Sequence, residues 1–277
     1  MDELIARALA EDVGPGDVTT EGLIDRSVAA SGRLVAKEAG VLAGMPIARR
    51  LIERAGEGLR LEGALSDGAE LGPGTEIGVV AGPCALMLTA ERTLLNFLQG
   101  LSGIATLTRR YVDAVAGTGA AILDTRKTLP GWRALSKYAV VVGGGRNHRM
   151  GLYDQVLIKD NHLAASGLSA GQAVAAARER AGGSMRVEVE VRSPGEARAA
   201  AAAGADVVML DNMAAPQMRE AVVAIRELGG GTTIEASGSI DLERVRAVAE
   251  TGADWISVGA ITHSAPALDI SLDVEAR

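Results

Sequence analysis

The chain has 277 residues, 48% of them apolar and 23% charged, which suits a soluble globular protein of one large or two ordinary domains. A net charge of −7 argues against a general nucleic-acid binder, so any affinity for anions must come from local clustering of cations. The single Cys84 excludes an internal disulfide, no apolar run reaches the roughly 18 residues of a membrane-spanning helix, and the acidic start Met-Asp-Glu-Leu-Ile is unlike a secretory leader, so a reducing cytoplasm is expected.

In chain order, Leu4, Ile5, Ala8 and Leu9 share one face of a helix over residues 3–11. Short apolar runs follow, broken by Gly, Pro and Asp. Strands are predicted at 32–37, 40–43, 58–62 and 76–81, with turns at Ser66-Asp67-Gly68 and Gly72-Pro73-Gly74. Helices are predicted near 46–55 and over about 86–99, and Cys84, in an apolar Cys-Ala-Leu-Met setting, reads as packing. This portion has the texture of an α+β domain with an antiparallel sheet.

From about residue 107 strands and helices alternate. The near-continuously apolar strands fall at 121–124, 155–159, 186–191, 206–210, 232–236 and 254–258. Ala-rich helices occupy 194–203, 216–228 and 242–250. The alternation fits a barrel or a doubly wound sheet. Asp124, Lys159-Asp160, Glu190, Asp211 and Ser237 each stand at or beside the C-terminal end of a strand. Barrel enzymes assemble their sites on that face, and this favours the barrel.

Residues 124–149 hold Arg126, Lys127, Arg133, Lys137, Arg146 and Arg149, opposed only by Asp124. Such a run is ordinarily a solvated face. Here Thr125-Arg126-Lys127-Thr128 follows a strand directly, and Gly143-Gly144-Gly145 precedes Arg146-Asn147-His148-Arg149. Glycines let backbone approach a ligand, Arg forks match carboxylates and phosphates, and Lys acts as a mobile point charge. The expected substrate is small and multiply anionic. A second anion site is expected at Ser237-Gly238-Ser239 and at Gly259 with Thr262-His263-Ser264, since loops after the last barrel strands cradle phosphates. His148, His162 and His263 all lie in loops and lack the spacing of a zinc site. Glu190 and Asp211 read as ligands for sugar hydroxyls or for a phosphate-bound Mg2+, and Glu188, two residues before Glu190, as structural.

These strings together resemble the quinolinate phosphoribosyltransferase family. The resemblance runs from Glu11-Asp12-Val13-Gly14-Pro15-Gly16-Asp17-Val18-Thr19 through Ala90-Glu91-Arg92-Thr93-Leu94-Leu95-Asn96 and Leu101-Ser102-Gly103-Ile104-Ala105-Thr106. It continues through Asp124–Thr128, Asn147-His148-Arg149, Lys159-Asp160-Asn161-His162, Glu188-Val189-Glu190-Val191 and Leu210-Asp211-Asn212. It ends with Ser257-Val258-Gly259-Ala260 and Thr262-His263-Ser264-Ala265-Pro266.

The resemblance implies an N-terminal α/β sandwich domain (1–105) joined by a C-terminal tail (266–277), and a seven-stranded α/β barrel (106–265). It implies that quinolinate and phosphoribosyl pyrophosphate give nicotinate mononucleotide, pyrophosphate and CO2 in NAD biosynthesis, with Mg2+, in a homodimer of shared sites. By matching position, Arg126, Arg149, His148 and Lys159 would hold the quinolinate carboxylates, Arg92 would reach in from the partner subunit, and Lys127 would meet quinolinate or pyrophosphate. Glu190 and Asp211 would address the ribose hydroxyls and Mg2+, and Ser237, Gly238, Ser239, Gly259 and His263 the 5′-phosphate. Lys127, Lys159, Glu190 and Asp211 would carry the catalytic step. Two departures stand out: Val141-Val142 replaces Arg-Cys or Arg-Thr, and Ser239 replaces the second glycine of Ser-Gly-Gly. Nicotinate as acceptor fits poorly, because one carboxylate does not need so many cations.

Overall fold

The structure, a computed structural model, describes residues 1–181 and 183–276. The chain divides into two units, residues 1–107 with 265–277 and residues 108–264.

The first unit contains α1 (Asp2–Val13), α2 (Val18–Leu23), β1 (Ala29–Ala36), β2 (Gly40–Val41), α3 (Met45–Ala55), β3 (Arg60–Glu62), β4 (Glu70–Leu71), β5 (Glu76–Pro83) and most of α4 (Cys84–Ala114). The helix α2 was not expected; Asp17 starts it by accepting the Thr20 N–H (3.0 Å) and hydroxyl (2.6 Å), an N-cap within a Gly/Pro-rich stretch. The 31-residue α4 runs well beyond residue 99. Gly100 and Gly103 are poor helix formers, but Leu98, Leu101 and Ala105 are fully buried, and tertiary packing outweighs local propensity. Cys84 is buried, as expected of a packing residue.

In the second unit β6 (Ala121–Leu123), α5 (Arg133–Val142), β7 (Val156–Ile158), α6 (Asp160–Ser166), α7 (Ala170–Ala181), β8 (Val187–Val191), α8 (Pro194–Ala202) and β9 (Val207–Asp211) are followed by α9 (Ala215–Arg226), β10 (Thr233–Ser237), α10 (Val245–Ala249), β11 (Trp255–Ser257) and α11 (Ala260–His263). Its strands form one parallel sheet in the order β6-β11-β10-β9-β8-β7. This is the alternating α/β architecture of a barrel.

The six predicted strands match the six observed within one or two residues. A seventh position is held by a single parallel bridge, Leu123 to Arg146, in which Arg146 donates to Ile122 O (2.8 Å) and accepts from the Asp124 N–H (3.1 Å). The three glycines before Arg146 leave no run from which a longer strand could grow.

The chain returns to the first unit as β12 (Ile270–Ala276), antiparallel to β1, in a sheet ordered β12-β1-β5-β3. Gln99 fixes the approach: its side chain donates to Ile270 O (2.7 Å) and its carbonyl accepts from the Leu268 N–H (3.0 Å).

Candidate active site

Side chains alternate along a strand, so residues two apart share a face. On β10 this pairs Glu235 with Ser237, on β9 Met209 with Asp211, and on β11 Trp255 with Ser257. All but Trp255 line a cleft of about 430 Å³ at the C-terminal ends of the strands. The other walls are Thr125, Arg126 and Lys127 after β6, His148 and Arg149 after the Arg146 bridge, Leu157 and Lys159 on and after β7, Glu190 on β8, Asn212 after β9, and Gly238 and Ser239 after β10.

One end of the cleft is cationic. Arg149 is only 8% exposed and donates through Nη1 to Gln155 O (3.2 Å). Burial, followed by the Arg126 charge, pulls its pKa down. The Nε of Arg126 is itself buried without a hydrogen-bond partner. Neither guanidinium is in an ion pair among the described residues, and a carboxylate is the fork-shaped acceptor that fits. Lys159 adds a third cation and pairs with Glu190. Lys127 links this end to the other. Its carbonyl accepts from Thr262 Oγ1 (2.7 Å), and Gly259 packs so closely that a β-carbon there would meet Lys127 Cδ at 3.0 Å and His263 Nε2 at 3.1 Å.

The opposite end is backbone and hydroxyl. The Asn212 N–H donates to Ser237 O (2.9 Å), tying the ends of β9 and β10 together. Gly238 has φ 101°, and a β-carbon there would lie 2.3 Å from Asn212 Oδ1, so glycine is required for the close approach. Ser239 follows at φ 47°, also left-handed, and its carbonyl accepts from Arg244 Nη1 (3.0 Å). Asp211 faces Arg192 Nε at 3.5 Å and accepts from the Asn212 amide (3.0 Å).

The basic stretch 124–149 does not act as one cluster. Only Arg126, Lys127 and Arg149 of its six cations line the cleft. Lys137 is buried and pairs with Asp124, which is wholly inaccessible and is therefore a support rather than a ligand group. Burial pulls both of these groups toward neutrality, and the pairing pulls both back. Lys137 also donates to His148 O (2.9 Å) and Asp124 Oδ1 accepts the His148 N–H (2.9 Å), so this pair fixes the backbone that carries His148 and Arg149. Arg133 donates to Thr128 Oγ1 (3.3 Å) and Met150 O (3.2 Å), and Arg146 is exposed. Asp160 pairs with Arg192 (2.9 Å), and His162 caps α6 by accepting the Lys159 N–H on Nδ1 (2.9 Å). Gly259 and His263 adjoin Lys127 without lining the cleft. Arg92 belongs to the first unit and is exposed on α4.

Beneath the cationic end lie two buried glutamates. Glu188 accepts from Gln155 Nε2 and faces His148 Nε2 at 3.1 Å, while Glu235 faces the same nitrogen at 3.5 Å. Burial pushes each of their pKa values up to about 8. The His148 pKa is pulled down by its own burial, with the Glu235 charge opposing. Glu235 was not expected in the site. Its signal was present: a carboxylate inside an apolar strand, two residues before Ser237 and therefore on the same face.

Two family profiles match the chain, described as the quinolinate phosphoribosyl transferase N-terminal domain over residues 17–102 and its C-terminal domain over residues 104–273. The nicotinate-nucleotide pyrophosphorylase [carboxylating] of Mycobacterium leprae is 44% identical, over 98% of this chain and 96% of its own. The probable nicotinate-nucleotide pyrophosphorylase [carboxylating] of Synechocystis is 40% identical, over 99% and 92%. Among solved structures, NadC from Streptococcus pyogenes superposes with a TM-score of 0.94 at 41% identity, covering 100% of this chain and 96% of that one. With both domain profiles matched in order and relatives aligned from end to end, the chain belongs to the quinolinate phosphoribosyltransferase family of phosphoribosyltransferase enzymes.

Proposed function

We propose that the cleft joins quinolinate to the phosphoribosyl group of phosphoribosyl pyrophosphate and releases nicotinate mononucleotide, pyrophosphate and CO2. One observation carries this reading: two buried or half-buried guanidinium groups and Lys159 stand at one end of a cleft whose other end is a Ser-Gly-Ser turn, with Lys127 between the two. A planar dicarboxylate suits the first end and a 5′-phosphate the second. Arg126, Arg149 and Lys159 would take the two carboxylates with the edge of His148 beside them, and Lys127 lies where the two substrates meet. Ser237, Gly238 and Ser239 would hold the 5′-phosphate, with Gly259 and His263 behind Lys127. Glu190 and Asp211, on neighbouring strands, face the space between, where the ribose would lie.

As pyrophosphate leaves, positive charge develops at the ribose C1, and carboxylates fixed nearby stabilise it. The pyridine nitrogen then bonds to C1 and becomes cationic. That cationic ring accepts the electron pair left when the adjacent carboxylate departs as CO2. No side-chain nucleophile is needed.

Mg2+ belongs to this proposal. Glu190 and Asp211 offer oxygens of the kind it takes, yet Glu190 is paired with Lys159 and Asp211 faces Arg192. That donor set fits an ion carried in on pyrophosphate, whose charge it would offset, better than a cage made by the protein. A homodimer, with Arg92 supplied by the partner subunit, and a cytoplasmic setting complete the reading; no helix among the described residues is long and apolar enough to cross a membrane.

The test is release of labelled CO2 from carboxyl-labelled quinolinate. Release is expected only with phosphoribosyl pyrophosphate and Mg2+ both present, and to stop when a chelator removes the ion. No release with all components present sinks the assignment.

A further inference from the structure

The reaction proposed above leaves an electron pair on ring carbon C2 when CO2 departs, and a proton must take its place. Lys159 is engaged by Glu190, guanidinium groups do not give up protons near neutrality, and Lys127 lies against Gly259, toward the pyrophosphate rather than over the carboxylates.

His148 is not a suitable donor either. Its Nδ1 accepts the Arg149 N–H (2.7 Å), so the ring hydrogen is on Nε2. That nitrogen faces Glu188 at 3.1 Å and Glu235 at 3.5 Å, so its hydrogen is directed at the two glutamates. The same tautomer bears on a second possibility. One atom each of His148, Glu188 and Glu235 lie within 4.8 Å of one another, the grouping of a cation site. A nitrogen bearing hydrogen has no lone pair for a metal, so in this tautomer the trio is not a metal site.

Glu235 has a different standing. Its side chain is wholly buried, yet it lines the cleft, and among the described residues neither carboxyl oxygen has a partner at full hydrogen-bond geometry; His148 Nε2, at 3.5 Å, and the Ser257 hydroxyl give it only weak polar support. The Ser257 hydroxyl beside it on the cleft wall is likewise buried, and its weak pull toward the carboxylate is smaller than the opposing effect of burial. A buried carboxylate so weakly supported is costly, and such an atom calls for an explanation, a catalytic role among them. The groups that face Glu235 are Glu188 and Glu190 on β8 and His148 on the adjoining loop. Two of those three are carboxylates. Burial first, and the Glu188 charge second, favour the neutral acid and push its pKa up to about 8.

We propose that Glu235 is the general acid of the decarboxylation, donating its carboxyl proton to C2 of the pyridine ring. The C2–carboxyl bond breaks, CO2 leaves, and the bonding pair remains on C2 beside the cationic nitrogen. That pair takes the proton of Glu235 to form C2–H as the O–H bond breaks. Glu235 is left as the carboxylate and regains a proton from solvent water, one per turnover. His148 is a positioning residue, its Nε2–H steadying the carboxylate formed. Glu188 does not line the cleft and its carboxylate is engaged by Gln155, so the donor is Glu235 and not its neighbour.

This rests on the proposed reaction, and the experiment separates the two. Single-turnover formation of CO2 and nicotinate mononucleotide is measured for the unaltered protein and for Glu235→Gln, together with direct quinolinate binding and thermal stability. Glutamine keeps the shape and neutrality of the protonated acid but has no acidic proton. The rate is expected to fall about 100-fold or more, in line with general-acid catalysis, with quinolinate Kd within about threefold and melting temperature not lowered. Should Glu235→Gln not fold, Glu235→Met removes the proton without burying an amide and is read the same way. A variant rate within about threefold of the unaltered protein overturns the inference. So does a rate loss matched by an equal loss of quinolinate binding, which makes Glu235 a binding residue. Absence of product with the unaltered protein is the separate failure of the proposed reaction.

Discussion

Ser239 stands at φ 47°, where an L-residue with a β-carbon is strained by about 1–2 kcal/mol. Ser239→Gly is therefore expected to stabilise the protein by about 0.5–1 kcal/mol, part of the relief being offset by the freer unfolded chain. A urea midpoint that does not rise would show that the Ser239 hydroxyl repays the strain. Arg149 makes a different argument. It is buried beside another guanidinium, and its fork is the feature a carboxylate reads. Arg149→Lys keeps the charge but loses the fork. Quinolinate Kd should rise at least about tenfold while phosphoribosyl pyrophosphate binding is unchanged, as calorimetry can establish. Glu235 also gives stability a pH signature. Its pKa lies near 8 in the folded protein against an ordinary 4.5, so between those values the folded state keeps a proton that the unfolded chain has lost. Its contribution is most favourable below about pH 4.5 and is lost as pH rises toward 8. Glu235→Gln should flatten that fall and leave the variant more stable at pH 8.5, by on the order of a few kcal/mol. Parallel stability curves for the two proteins from pH 5 to 8.5 would contradict the assignment of this proton.

At the level of elements, the loop carrying Asn147, His148 and Arg149 depends on α5. Lys137 on that helix pairs with Asp124 and donates to His148 O, and Asp124 accepts the His148 N–H. Lys137→Met leaves the buried Asp124 without its partner, and breaking one partner of a buried pair costs about 3–5 kcal/mol. Unfolding in urea measures the loss; one below about 1 kcal/mol would mean that the pair is not load-sharing between α5 and the loop. This pair also shows where sequence reading reached its limit. The run of cations from Arg126 to Arg149 was legible as charge, but which cations face the cleft depends on helix phase and on long-range packing. The parallel strands were legible because buried strands are unbroken apolar runs ending in charge. The extent of α4 was not, since Gly100 and Gly103 are poor helix formers held in place by tertiary contacts. The strand β12 carries the alternation Ile270, Leu272, Val274, but its partner β1 lies more than two hundred residues earlier, beyond any local pattern.

For the whole molecule, the cleft is lined by residues of the second unit alone, while Arg92 lies in the first unit, exposed on α4. The proposed homodimer gives Arg92 its role: each cleft would take the Arg92 guanidinium of the other subunit as a further cation for quinolinate. Arg92→Ala should then abolish turnover while leaving the fold unchanged, because an exposed helix position tolerates alanine. Lys159→Ala should abolish it from inside the cleft. The two inactive variants, unfolded together and refolded as a mixture, form mixed dimers by chance in about half of the molecules. In a mixed dimer one site combines an intact barrel with an intact Arg92, and the other lacks both. Activity should therefore return to about a quarter of that of the unaltered protein, the arithmetic of one good site in every second dimer. Mixing without refolding, under conditions that prevent subunit exchange, should restore none. If refolded mixtures stay inactive although subunit exchange is demonstrated by tagged copies, Arg92 does not act across the interface.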